Sequence, residues 1–141
     1  MKKDDAPPTL DYWRVWTDAD GVSHQERRTL TGFERQSMGG AAPQWNTVQQ
    51  GAPRQAIFSV LPVGWTGDWH ENPAPQWIVP LAGRWFVETM DGHRVEMSVG
   101  EVSFGGDQGC VADAAGRKGH RSGVIGDEPV VLMIVQMEQS S

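Results

Sequence analysis

The chain has 141 residues, with twelve Lys and Arg against eighteen Asp and Glu, and therefore a formal net charge of −6 at pH 7. This length is that of one ordinary domain with its own core. The acidic balance and the lack of a basic run argue against nucleic-acid binding. No apolar run approaches the ~18 residues of a membrane span, and the single cysteine allows no intramolecular disulfide. We expect a soluble cytoplasmic protein without membrane contact.

The N-terminal third is expected to form a tail, a hairpin and a long loop. Residues 1–10 combine charged residues with two prolines and predict a flexible tail. The turn sequence Asp-Ala-Asp-Gly at 18–21 separates two strand-like runs and predicts a β-hairpin. The Gly-, Pro- and Gln-rich segment that follows is expected to be irregular. We find no domain boundary, so that 11–141 is expected to be one domain, with an extension over 11–54 and the main body over 55–138.

The main body alternates short apolar runs with turn sequences, at a spacing typical of a sandwich or barrel. No helical period is sustained. The pair Asp91-Gly92 predicts a type I′ turn between two strands. The predicted strands cover 56–61, 76–81, 84–90, 93–97, 101–104, 120–125 and 130–137. These features predict an all-β fold, for which the jelly roll is a common double-sheet solution.

The segment between Gly64 and Gly83 carries a spaced pattern of polar residues. Five residues separate Gly64 from His70, Asn72 follows two positions later, Gln76 comes after three more residues, and six residues then lead to Gly83. This spacing resembles the first motif of the cupin family. In that motif a second His occupies the position of Asn72, and a Glu that of Gln76.

A second segment strengthens the resemblance. His120 is the only histidine after Gly100, in the part of the chain where the second cupin motif has its own histidine. The residues around it, 116–122, resemble a turn found in small bacterial cupins. The resemblance to small single-domain bacterial cupins implies a double-stranded β-helix, or jelly-roll barrel, that is often dimeric.

The cupin resemblance also implies a metal site inside the barrel. The implied ligands are His70, His120 and Gln76, with Asn72 as a further candidate. Such a set suits a divalent transition metal such as Fe, Mn, Ni or Zn. Because it contains two imidazoles and no carboxylate, we expect a lower affinity than that of the full set of three His and one Glu.

Three apolar residues are expected to line a substrate pocket. Ile78 shares a strand face with Gln76 because side chains alternate along a strand. Met133 and Val135 share a face of the last predicted strand.

Two functions remain open. The first is a metal-dependent enzyme acting on a small organic molecule as a dioxygenase, lyase or isomerase. The alternative is a metal-free small-molecule-binding or sensor protein without catalysis. Without a metal, His70 and His120 remain candidates for general acid–base chemistry, since imidazole titrates near neutrality. Outward-facing Trp and Val side chains lead us to expect a homodimer that covers them.

Overall fold

A computed structural model of the chain describes residues 6–139, and it confirms the all-β prediction. None of this described part forms a helix that could span a bilayer. The predicted tail over 1–10 lies in part outside the described residues, and Leu10 already begins the first strand. The strands are β1 (Leu10–Thr17), β2 (Ser23–Leu30), β3 (Glu34–Gln36), β4 (Gln44–Asn46), β5 (Pro53–Leu61), β6 (Thr66–His70), β7 (Gln76–Ala82), β8 (Arg84–Thr89), β9 (Arg94–Met97), β10 (Ser103–Gly106), β11 (His120–Ile125) and β12 (Val130–Met137).

Ten of these strands form two sheets. The larger sheet has the order β2-β1-β10-β7-β12-β5, and the smaller one the order β6-β11-β8-β9. The pairs from β5 onward are nested and antiparallel: β5 with β12, β6 with β11, β7 with β10, and β8 with β9. The sheets are hydrogen-bonded separately and neither closes on itself, so the expected closed barrel is corrected to two sheets.

The core lies where inward-facing side chains of the two sheets meet. In β7 the buried residues Gln76, Ile78 and Pro80 alternate with more exposed ones, as the two-residue period of a strand requires. The apolar core consists of Val15, Ile78, Trp85, Val87, Val95, Met97, Val130 and Leu132.

The region between β2 and β5 differs from the predicted irregular loop. It contains a hairpin, in which β3 and β4 pair with each other and with no other strand of the described chain. Both strands have only three residues, and their sequences Glu-Arg-Gln and Gln-Trp-Asn carry no alternation of apolar and polar residues. A pattern-based prediction therefore has no signal to detect here.

The hairpin between β8 and β9 forms where it was predicted, but its turn is not of type I′. That type requires a positive φ at both central residues, whereas Gly92 has a φ of 84° and Asp91 does not have a positive φ. The Gly92 amide donates to the carbonyl of Thr89 at 2.9 Å. The carboxylate of Asp91 accepts hydrogen bonds from the Thr89 hydroxyl and the His93 amide, so this side chain stabilises its own turn.

Gly83, between β7 and β8, is required by close backbone packing. Its φ is 78°, and a Cβ added there would lie 2.5 Å from the carbonyl oxygen of Pro129. Gly92 is a matched control, because its φ is 84° and a Cβ there would meet nothing within 4 Å. We expect Gly83→Ala to reduce the free energy of unfolding by roughly 2–4 kcal/mol and Gly92→Ala by roughly 1–2 kcal/mol. Equal losses in urea titrations would show that only backbone strain matters at Gly83.

His24 connects the turn between β1 and β2 to the turn between β8 and β9. Its Nε2 lies 2.7 Å from a carboxylate oxygen of Asp18, and its Nδ1 lies 3.0 Å from one of Asp91. Its ring stacks on that of Trp16, with 4.9 Å between centroids. The hydrogen bond to Asp18 is the main cause that raises the pKa of His24. The same bond lowers the pKa of Asp18.

We expect the stability of the protein to fall as the pH rises through the raised pKa of His24. The folded state binds this proton more tightly than the unfolded state, whose histidine pKa is about 6.5. The stabilisation is thus complete below pH ~6.5, and it is lost as the pH rises through the raised pKa of the folded state. The free energy of unfolding is measured in urea between pH 5.5 and 8.5 for the unaltered protein and for the His24→Gln variant. We expect the pH-dependent difference between them to be roughly 1 kcal/mol or less. Parallel pH profiles of the two proteins would contradict the expectation.

Candidate functional site

A cavity of about 120 Å³ lies between the two sheets. Its volume is below the ~300–1,000 Å³ typical of sites for drug-sized ligands. It therefore suits a small molecule, or the reacting end of a larger one. The cavity is lined by Ser59, Leu61, Trp65, His70, Asn72, Gln76, Ile78, Trp85, His120, Ser122, Leu132 and Ile134.

Neighbouring strands bring two imidazoles together in this cavity. His70 is the last residue of β6, His120 is the first of β11, and the two are register partners. Their ring centroids are 4.7 Å apart and their planes are inclined by 49°. His120 is 5% exposed, whereas His70 is exposed. His70 therefore stands at the mouth of the cavity and His120 inside it.

Both imidazoles have one nitrogen engaged with an acceptor. Nδ1 of His70 lies 2.6 Å from the carbonyl oxygen of Asp68, and Nδ1 of His120 lies 2.7 Å from Oδ2 of Asp107. Since a carbonyl or carboxylate only accepts, Nδ1 carries the proton in each ring. In the neutral form of either ring, Nε2 is therefore the basic nitrogen, free to meet a ligand.

Asp107 is a site residue that the sequence did not reveal. It is fully buried, and its Oδ1 accepts hydrogen bonds from the backbone amide of Asn72 at 2.9 Å and from Nδ2 of Asn72 at 2.8 Å. Burial by itself would raise the pKa of Asp107, but the hydrogen bond and charge of His120, together with Asn72, lower it overall. The carboxylate is thus ionised beside His120. In sequence, an aspartate in a glycine-rich loop is typical of a solvated turn.

A chain of side-chain amides leads away from Asp107. Nε2 of Gln76 donates to Oδ1 of Asn72 at 2.7 Å, and Nε2 of Gln136 donates to Oε1 of Gln76 at 3.0 Å. Nε2 of Gln55 then donates to Oε1 of Gln136 at 2.7 Å. Because the Asp107 carboxylate can only accept, it fixes the orientation of every amide in this amide chain.

The amide chain engages two of the predicted metal ligands. Asn72 lies in the loop after β6 rather than on a strand face with His70, and its Oδ1 accepts from Gln76. Oε1 of Gln76 accepts from Gln136. Within residues 6–139, no group of three or more His, Cys, Asp or Glu side chains is placed to hold a metal ion. The two imidazoles are the strong donors that the cavity offers.

The expected substrate-pocket residues are divided by the structure. Ile78 lines the cavity, but Met133 and Val135 do not, because β12 directs Leu132 and Ile134 inward. Alternation then places Met133 and Val135 on the opposite face. The error has a physical origin, since both faces of this strand are apolar in sequence and the pattern alone does not say which faces the core.

Comparison with known proteins identifies no family. No family model and no curated protein matches the chain. Among solved structures, it is similar to that described as "Crystal structure of protein NMB1881 from Neisseria meningitidis". The identity is 15% over 66% of this chain and 88% of that chain, with a TM-score of 0.40. We therefore rest the function on the geometry of the cavity.

Proposed function

We propose that this protein is a cupin-like jelly roll that catalyses proton transfer on a small organic molecule, as an isomerase or lyase, with His120 as the general base. The observation that carries the proposal is the buried hydrogen bond between Asp107 and His120, beside a second imidazole in one cavity.

The jelly-roll assignment is supported by the nested strand pairs. A jelly roll is a long antiparallel hairpin that folds over so that its strands are distributed between two sheets. The pairs here, β5 with β12, β6 with β11, β7 with β10 and β8 with β9, are those expected of such a folded hairpin. The spacing from Gly64 to Gly83 adds the resemblance to cupins, although fold alone does not determine activity.

The proton transfer follows from the tautomers of the two rings. Nε2 of His120 takes a proton from a carbon next to a carbonyl, and the C–H electron pair moves into the resulting enolate. An imidazolium then returns a proton to the neighbouring atom, which completes an isomerisation, or to a leaving group, which completes an elimination. Asp107 stabilises the imidazolium of His120 and holds its Nδ1–H orientation. His70, at the mouth, is placed to be the second proton carrier.

The remaining cavity surface indicates what the substrate looks like. It is largely apolar, with hydroxyl groups from Ser59 and Ser122. Nε1 of Trp85, which also lines the cavity, is buried without an acceptor within the described chain. These groups favour a compact substrate with an apolar body and one or two oxygen acceptors.

A divalent metal fits this donor set poorly. Catalytic zinc sites, for example, have three protein ligands, whereas the cavity offers two imidazoles, and the oxygens of Asn72 and Gln76 already accept hydrogen bonds. The residues that line the cavity include no carboxylate, so the charge of a bound cation would not be balanced there. We therefore derive no step through a metal.

A metal-dependent enzyme is the second candidate, and one observation favours it. Metal-binding imidazoles commonly donate their other N–H to a carboxylate or a carbonyl. His120 and His70 do so to Asp107 and to the carbonyl of Asp68.

Deuterium exchange tests the proposal. Proton NMR in D₂O follows the loss of C–H signals next to the carbonyl of pyruvate, 2-oxobutyrate and dihydroxyacetone, with a chelator present. We expect catalysed exchange with at least one probe. In the His120→Ala variant the exchange rate should fall by roughly 100-fold or more, since a general base contributes about that much or more. Exchange that disappears with chelator and returns with Fe, Mn, Ni or Zn would support the metal-dependent candidate instead. Tight binding without any exchange would leave a binding or sensor protein.

The expected homodimer stays a prediction. Phe58 and Val60 on β5, at the edge of the larger sheet, are 69% and 66% exposed. Exposed apolar side chains on an edge strand are the kind of surface that a second copy would cover.

A further inference from the structure

A second cleft, of about 370 Å³, lies on the outer face of the larger sheet. It is separate from the cavity, because Trp77 in the cleft and Gln76 in the cavity are consecutive residues on opposite faces of β7. Its volume falls within the range of ~300–1,000 Å³ that is usual for small-ligand sites. The lining residues are Tyr12, Arg14, Gln49, Gln50, Gly51, Pro75, Trp77, Phe104, Met137 and Glu138.

Three aromatic rings from three strands form the base of the cleft. The ring of Trp77 lies 5.1 Å from that of Tyr12 and 4.8 Å from that of Phe104, measured between centroids. The interplanar angles are 58° and 59°, so the rings are inclined and do not form a parallel stack. A planar ligand, such as a nucleobase or another aromatic ring, stacks on the face of one aromatic side chain. A puckered ring with C–H bonds on several sides can instead contact the faces of two inclined side chains.

The rim of the cleft carries hydrogen-bonding groups that the protein does not use. In residues 6–139, the side-chain amides of Gln49 and Gln50 and the carboxylate of Glu138 have no hydrogen-bond or ion-pair partner. An amide both donates and accepts, as a hydroxyl group does. These rim groups are therefore suited to a ligand with several hydroxyls.

Charge in the cleft disfavours anionic ligands. The guanidinium of Arg14 is already paired with Glu26, with 3.0 Å between Nη1 and Oε1. It thus offers little net attraction to an anion. Glu138 and the net charge of −6 further oppose an anion.

We infer that this aromatic cleft binds a neutral carbohydrate ring, which stacks on Trp77 and hydrogen-bonds through its hydroxyls to Gln49, Gln50 and Glu138. Apolar C–H groups of a pyranose contact the electron-rich faces of the rings. The inference goes beyond the proton-transfer activity and does not depend on it.

Saturation-transfer NMR and calorimetry with cellobiose, maltose, lactose and chitobiose test the inference on the full chain. We expect at least one saccharide to bind saturably. Trp77→Ala is expected to weaken that binding roughly tenfold or more, and Gln50→Ala to weaken it without affecting folding, since this amide is exposed. Phe58→Ala is the matched control, because it removes an exposed ring from the same sheet face outside the cleft.

Three outcomes would overturn the inference. One is that none of the saccharides binds, and another is that Trp77→Ala and Gln50→Ala both bind as the unaltered protein does. The third is that choline chloride binds at Trp77 and the saccharides do not, which would indicate an aromatic site for quaternary ammonium ions. The His120→Ala variant is expected to bind saccharide normally, so that the proton-transfer proposal and this inference fail separately.

Discussion

Replacing Asp107 by alanine is expected to lower the free energy of unfolding by roughly 3 kcal/mol or more, because it leaves buried hydrogen-bond donors without an acceptor, at about 1–3 kcal/mol each. The substitution deletes acceptors for the Asn72 backbone amide, for Asn72 Nδ2 and for His120 Nδ1. All of these donors are buried, so each would lose its partner without gaining water. Urea denaturation at pH 7 measures the loss.

Asp113→Ala is the matched control for this change. Asp113 lies in the same loop and also accepts backbone hydrogen bonds, but it is partly exposed, with 27% of its side chain accessible. We expect a clearly smaller loss of stability there, because solvent can replace the hydrogen bonds that this carboxylate accepts. Comparable losses at both positions would show that Asp107 merely shapes the loop.

The Asp107→Asn variant separates structure from catalysis. Its amide keeps the shape and an acceptor for Asn72, but it presents an N–H to Nδ1 of His120 and so favours the other tautomer. We expect most of the stability to remain and His120-dependent exchange to fall by roughly 100-fold or more. Because the pKa of Asp107 is lowered in the fold, the stability gap between wild type and Asp107→Asn should be complete above pH ~4 and close as the pH falls below it.

Gln76→Glu is expected to create a divalent-metal site in the cavity. The substitution places a carboxylate beside His70 and His120, giving the two-imidazole, one-carboxylate set that holds divalent iron in many oxygenases. Without metal, the variant should be less stable at pH 7 by roughly 1–3 kcal/mol, because the ionised side chain no longer donates to Asn72. With metal at about 100 times its dissociation constant, roughly 2.7 kcal/mol of stability should be regained.

Thermal unfolding with and without Mn or Zn measures this effect, and calorimetry gives the affinity. Gln136→Glu is the matched control, because it introduces the same carboxylate in the amide chain at a residue that does not line the cavity. We expect no metal-induced stabilisation in that control. If wild type bound Mn or Zn as tightly as Gln76→Glu does, the amide at position 76 would not be the reason that the cavity fits a metal poorly.

The parts of the fold that were predictable depend on local chemistry. Gly83 and Gly92 lie at positive φ between strands, and glycine marks such positions in sequence. The two-residue alternation in β7 likewise indicates which of its residues are buried. The short hairpin of β3 and β4 was missed because neither strand has an alternating apolar pattern. The inward face of β12 was missed because both faces of that strand are apolar.

The site was predictable only where the sequence resembles a known motif. The spacing from Gly64 to Gly83 brought out His70, and His120 stood out as the only histidine after Gly100. Their rings lie together in the structure. The resemblance did not reveal Asp107, or the positions Gln136 and Gln55, because their roles depend on long-range register between strands. Hydrogen bonds between residues far apart in sequence leave no local pattern to detect.

The nested pairing of strands also has a consequence for how the protein folds. The innermost pair, β8 with β9, is joined by a short turn, whereas β5 and β12 pair although they lie far apart in sequence. Chains with such distant contacts fold slowly, on a scale of about milliseconds to seconds. We expect the transition state to contain the inner hairpin and to lack β5, so that substitutions in β5 mainly accelerate unfolding while those in β8 slow folding.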